Sequence, residues 1–160
     1  MDQQRKIRVW WVVLLVVAGS LSFSTIQPRM AASATNHASV LYVGGSGPGN
    51  YSKIQDAVEN ASDGDTVFVY DDAAPYFESV VINVSIDLIG ENRNTTSIEG
   101  GEYAISIYVD GVTVRGFRIS NVGDFWNCCG FYVTSRGNTI SDNNIMNNLR
   151  MNGVFLNGAS

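Results

Sequence analysis

The chain is poor in histidine, cysteine and proline: one, two and three residues among 160. A lone histidine, His37, excludes the multi-imidazole sites that hold zinc or copper(II). The two cysteines are neighbours, Cys128-Cys129, and no second pair exists to complete a thiolate metal site. Ordinary disulfide geometry does not fit adjacent residues. They read as two small apolar side chains in a turn, with a vicinal or intermolecular disulfide as the alternative in an oxidising compartment. No metal is predicted. Positive charge is also scarce, with ten Lys and Arg against fifteen Asp and Glu, a net −5. Four of the basic residues and one Asp lie in the first 34 positions, so the remainder carries −5 − 3 = −8. So acidic a chain repels phosphate backbones and anionic lipid, which argues against a nucleic-acid partner.

Only one long apolar run occurs. Arg5, Lys6 and Arg8 precede Val9–Ala18, and Ala32-Ser33-Ala34 follows as an A-x-A cleavage signal. The run is shorter than the about 20 residues that span a bilayer. Residues 1–34 therefore read as a signal peptide or, if uncleaved, a membrane anchor, the one route to a membrane. The expected location is secreted, extracellular or at the cell surface. Residues 35–39 form a lead-in, and 40–160 form the folded part.

That part is built from short apolar pairs between Gly and Asn turns. Gly111-Val112-Thr113-Val114-Arg115-Gly116-Phe117-Arg118-Ile119 aligns with Gly137-Asn138-Thr139-Ile140-Ser141-Asp142-Asn143-Asn144-Ile145, an offset of 137 − 111 = 26. Gly130-Phe131-Tyr132-Val133 aligns with Gly153-Val154-Phe155-Leu156, an offset of 153 − 130 = 23. Ile86-Asp87-Leu88-Ile89-Gly90 adds an earlier rung. Strand-only repeats of this period predict a solenoid, in which each unit buries its apolar face on the next. Sandwich strands run longer, about 5–6 residues, and are joined by hairpins. The predicted fold is an all-β, right-handed parallel β-helix.

One helix is predicted, over 52–61. Ser52-Lys53-Ile54-Gln55 matches a capping box, Ile54, Ala57, Val58 and Ala61 form one apolar stripe, and Asp63-Gly64 ends it. Its expected place is the N-terminal mouth, where an open coil needs a cover. Asn138, Asn143, Asn144, Asn147, Asn148 and Asn152 are expected at corners, bonded to one another along the axis. No comparable cap is visible near Ser160, so the sequence reads as the N-terminal coils of a longer solenoid or as one whose end a partner covers.

Gly49-Asn50-Tyr51-Ser52-Lys53-Ile54-Gln55-Asp56-Ala57-Val58, with Gly64-Asp65-Thr66-Val67 and Leu88-Ile89-Gly90, resembles the pectin-lyase-like superfamily. The later Gly-apolar-x-apolar and Asn-x-Ile rungs resemble the parallel β-helix repeats of NosD-type proteins. The resemblance covers about residues 40–160. It implies the β-helix fold and leaves function open, because lyases, hydrolases, esterases and non-catalytic proteins share it. The opening is similar to that of pectin methylesterases, yet the Q-T-A-G and D-F-x-F-G motifs of that family are missing. So are the N-T-D and G-H-G signatures of polygalacturonases.

Catalytic residues are therefore not assigned. A glycosidase needs two carboxylates at a set separation. Asp87, Glu91, Glu99 and Glu102 are near in sequence, but Glu99-Gly100-Gly101-Glu102 reads as a solvated turn, and so does Asp71-Asp72 before Pro75. Calcium coordination by Asp and Asn oxygens is chemically reasonable but lacks a D-x-D-x-D-G loop. The copper role that NosD implies would draw on Met146, Met151, Cys128, Cys129 and His37, and Met reads as core filler. The binding candidates are the aromatics Tyr76, Phe77, Phe125 and Trp126, whose faces suit sugar rings, and Arg115, Arg118 and Arg136, which suit uronate carboxylates. Asn50, Asn60, Asn83 and Asn94 head N-x-S/T sequons. The expected function is a non-catalytic module recognising a polysaccharide or cell-surface glycan. The alternatives are the N-terminal part of a polysaccharide lyase or hydrolase and a NosD-like copper-site maturation factor.

Overall fold

The computed structural model describes residues 38–120, 129–146 and 153–158. The predicted signal or anchor segment, Phe125, Trp126, Cys128, Asn147, Asn148, Met151 and Asn152 lie outside them. Within the described residues the chain is a parallel β-solenoid with one short helix.

The elements are β1 (Val40–Val43), α1 (Ile54–Asn60), β2 (Thr66–Val69), β3 (Val80–Ile82), β4 (Asp87–Gly90), β5 (Ser97–Ile98), β6 (Tyr103–Ile107), β7 (Thr113–Arg115), β8 (Arg118–Ile119), β9 (Cys129–Val133), β10 (Thr139–Ser141), β11 (Asn144–Ile145) and β12 (Val154–Leu156). They stack into three sheets, β1-β2-β4-β7-β10, β3-β6-β9-β12 and β5-β8-β11. Every pairing is parallel. Asp87 pairs with Thr113 and Thr113 with Thr139, so the 26-residue register expected from the sequence holds over these two coils. The coil before them is shorter, since Thr66 pairs with Asp87 and 87 − 66 = 21.

Inward positions are filled mainly by Val, Ile, Leu and Phe. Val67, Leu88 and Val114 form one column, and Ile82, Ile107 and Val133 another. All six are buried. Burying each such side chain stabilises by about 1.5–3 kcal/mol relative to exposure. Strand propensity adds little of its own; the stacking supplies the burial.

The helix covers the N-terminal mouth. Ile54, Ala57 and Val58 are buried, and α1 packs on β1, β2 and β3. Its start differs from the capping-box expectation. The N-cap is Lys53, which makes no side-chain cap bond. The Glu78 carboxylate accepts instead from Ile54 N at 2.9 Å and Gln55 N at 3.0 Å. A charged acceptor on two otherwise unpaired amides does the work that the Ser-Gln pair was expected to do. Gln55 is thereby released to cover the edge of β3. Its Oε1 accepts from Val81 N at 2.8 Å and its Nε2 donates to Val81 O at 3.4 Å. The side-chain amide stands in for the missing neighbouring strand.

Asn138 and Asn143 stand at corners, as expected, and there they bond the backbone of the preceding coil. Asn138 Oδ1 accepts from Val112 N, and Asn143 Oδ1 accepts from Phe117 N while its Nδ2 donates to Val114 O. Backbone groups at corners fall outside the strand ladders, and each needs a partner. An Asn amide from the next coil supplies it.

Candidate functional site

A groove follows the corner at which the five-stranded sheet ends. Its first part is lined by Tyr42, the loop 45–50, Tyr70, Asp71, Asp72 and Glu91. The second is lined by Asp71, Gly90, Glu91, Asn92, Arg93, Arg115, Gly116 and Asp142. Asp71 and Glu91 line both, so the two hollows adjoin along the stacked coils.

Strand alternation builds the aromatic end. Val43, Val67 and Val69 point inward, so Tyr42, Phe68 and Tyr70 point outward. Parallel register sets Tyr42 beside Phe68. The Tyr42 and Tyr70 rings stack with centroids 6.0 Å apart, and Phe68 meets Tyr70 edge-on at 5.1 Å. The loop then closes on them. Gly44 and Gly45 both have positive φ, +73° and +70°. A Cβ on Gly45 would lie 2.8 Å from the Tyr70 ring, so only glycine permits this approach. Asn50 Nδ2 holds the loop through Gly44 O at 2.6 Å.

The carboxylates are oriented by the scaffold. Asp72 Oδ1 accepts from Gly45 N at 2.9 Å, Glu91 Oε2 from Asp71 N at 3.0 Å, and Asp71 Oδ2 from the Thr95 hydroxyl at 2.6 Å. Each binds through one oxygen and keeps the other open. Farther along, Arg93 forms an ion pair with Asp142 at 2.5 Å, while Arg115 is exposed on β7. The floor is close-packed: a Cβ on Gly116, at φ +83°, would collide with the Gly90 carbonyl. Among the described residues, no group of three or more His, Cys, Asp or Glu converges as a metal site requires. No described helix is long and apolar enough to cross a membrane.

The predicted site residues scatter. Tyr76 and Phe77 are adjacent in extended chain and so face opposite ways. Tyr76 is only 4% exposed and bridges to Ile98, whereas Phe77 is 76% exposed. The Tyr76 hydroxyl donates to Tyr70 O at 2.7 Å. Burial first, then Asp72 and the neighbouring carboxylates, pushes its pKa up to about 12. Tyr76 thus offers no ring face to a ligand and supports the groove from beneath. Phe77 lies by α1 in a separate, smaller hollow with Lys53, Gln55 and Glu78. Of the three predicted arginines, Arg115 alone lines the groove. Arg118 is on β8, in a different sheet, and Arg136 sits at the corner where its backbone N–H donates to Asp110. Glu91 enters the groove, while Asp87 is exposed at the start of β4 and Glu99 and Glu102 flank the turn between β5 and β6. Cys129 is buried at the start of β9, and Met146 is half-buried after β11. Asn60, Asn83 and Asn94 are exposed, but Asn50 is half-buried with its amide nitrogen engaged in the loop.

Tyr42, Tyr70, Asp71, Asp72, Arg93 and Asp142 are the residues missed. The usable signal was the outward complement of the inward valines, which is aromatic at three positions. Compared with known proteins, the chain matches no family model, no curated protein and no solved structure.

Proposed function

We propose that this chain is a secreted β-helix module that recognises carbohydrate in the axial groove and does not cleave it. The observation carrying this reading is the Tyr42–Tyr70 platform set beside the oriented carboxylates of Asp71, Asp72 and Glu91. Sugar rings present apolar faces and rows of hydroxyls. Aromatic surface takes the first, and ionised acceptors take the second. A cleaving enzyme of the acid-catalysed kind needs a carboxyl kept protonated by an apolar pocket. Here Asp72, Glu91 and Asp142 are exposed and Asp71 is half-buried.

Membership of the pectin-lyase-like superfamily, near the NosD-type repeats, belongs to the same proposal. The parallel solenoid, its N-terminal helix and the Gly49–Val58 segment support it. The test is binding of the purified chain to a panel of immobilised plant, bacterial and algal polysaccharides, beside Tyr42→Ala and Tyr70→Ala. Retention of the parent and loss of retention by both variants is the expected result. Equal retention of all three, or release of reducing or unsaturated ends by the parent, overturns it.

A further inference from the structure

We infer that the groove selects a neutral, hydroxyl-rich glycan chain laid along the solenoid and rejects polyuronates. The inference rests on the carbohydrate reading above and names its ligand class. Charge layout carries it. The aromatic end is lined by Tyr42, Tyr70, Asn50, Asp71, Asp72 and Glu91 with small loop residues, and among the described residues it contains no Lys, Arg or His. A sugar seated on the tyrosines sits among three carboxylates. A uronate there places like charges side by side without a cation between them, which is strongly disfavoured. The cations come only in the second part, and there Arg93 is spent on Asp142. Arg115 alone cannot offset a carboxylate on every sugar.

The same carboxylates suit hydroxyl donors. One oxygen of each is fixed by Gly45 N, Asp71 N or the Thr95 hydroxyl, and the open oxygens of Asp72, Asp71 and Glu91 have no partner among the described residues. An ionised carboxylate only accepts, so each of these oxygens calls for a donor. A bound cation would also satisfy them, but the three do not converge on one point. Donors spread along a chain fit this dispersion. The two adjoining hollows run past Tyr42, Asp71, Glu91 and Asp142 on successive coils, a layout that suits a linear polymer better than a monosaccharide.

The test is calorimetric titration of the full chain with cellohexaose, xylohexaose and mannohexaose, and in parallel with hexagalacturonate and hexaguluronate. At least one neutral hexamer is expected to bind about tenfold or more tighter than either uronate at low salt, the scale that a few solvent-facing like-charge contacts set together. Neutral binding should change little between low and moderate salt. In the triple variant Asp71→Asn, Asp72→Asn, Glu91→Gln, with folding checked by circular dichroism, the uronates should gain at least about tenfold. Preferential uronate binding abolished by Arg115→Ala overturns the neutral selection and leaves the carbohydrate reading standing. Absence of binding by every hexamer overturns both.

Discussion

The first coil and the last described rung treat their apolar columns differently. At the N-terminal mouth α1 lays Ile54 and Val58 over the first coil, Gln55 pairs with the free edge of β3, and Asp65 ties down Ser39. On the last described rung, Val154 and Leu156 continue the inward columns of Phe131 and Val133. Yet Leu156 is 60% exposed where Val133 is 2% exposed. The side chains are both apolar and occupy the same column, and among the described residues only Val133 has a strand stacked on each side. In a stack of this kind burial belongs to the neighbouring layer, and stability grows from rung to rung.

One charge placed at each level separates the two most strongly. Val114→Asp in the middle of the stack should cost more than about 4 kcal/mol and abolish cooperative unfolding, because the carboxylate has no partner there. Leu156→Asp should stay within about 0.5 kcal/mol, as surface changes do. Urea denaturation followed by circular dichroism compares them. Equal losses would mean that a layer covers Leu156 in solution.

The caps come next in size. Ile54→Ala should destabilise by about 2–5 kcal/mol, since the cavity opens beneath a helix that is anchored on three strands. Leu156→Ala should be nearly neutral in the same denaturation assay. A small loss at Ile54 would mean that the helix lies on the mouth without sealing it.

A smaller effect is expected where polar bridges replace a cap. Asn143→Ala leaves Phe117 N and Val114 O without their side-chain partner and should cost about 1–3 kcal/mol. Asn83→Ala, at an exposed position, serves as the control. Matching midpoints for the two variants would show that water replaces the Asn143 amide at no net cost.

These contrasts also mark what was legible in the sequence. Coil register at 86, 112 and 138 was readable, because strands, turns and inward columns repeat together and a one-residue slip would turn every column outward. The cap was readable from the stripe Ile54, Ala57 and Val58. Its chemistry was not: Glu78 reaches the helix from 24 positions beyond Ile54, and no local pattern encodes that bond. The groove was hidden for the same reason. Asp71 meets Glu91 across 20 residues and Gly45 meets Asp72 across 27, distances set by the individual lengths of coils. Read alone, Asp71-Asp72 is a polar turn. Tyr76 is the converse case, since an aromatic near charged residues reads as exposed while pairing with Ile98 directs the ring inward.

The smallest contrast is in pH. Asp65 accepts from Ser39 N and Oγ and from Ser62 N, all within 2.9 Å. The backbone bond from Ser39 contributes most, followed by those from Ser62 N and the Ser39 hydroxyl, and together they hold the Asp65 pKa below its ordinary 3.8 despite opposing desolvation. A folded pKa below the unfolded one means that the unfolded chain binds the proton first. The stabilisation is therefore complete above pH 3.8 and is lost as pH falls through the lower, folded value. The last described rung, Val154–Leu156, carries no ionisable side chain, so acid should loosen the N-terminal end first. Hydrogen exchange at Ser39 and Ser62, compared with Val154 and Leu156 from pH 5 down to pH 2.5, reads the difference after correction for intrinsic rates. Protection at the two serines should fall with acid in the parent. In Asp65→Asn it should start lower and stay nearly flat with pH. A parallel fall at both ends, or an unchanged acid slope in Asp65→Asn, would assign the loosening to the general charge of the chain instead of this carboxylate.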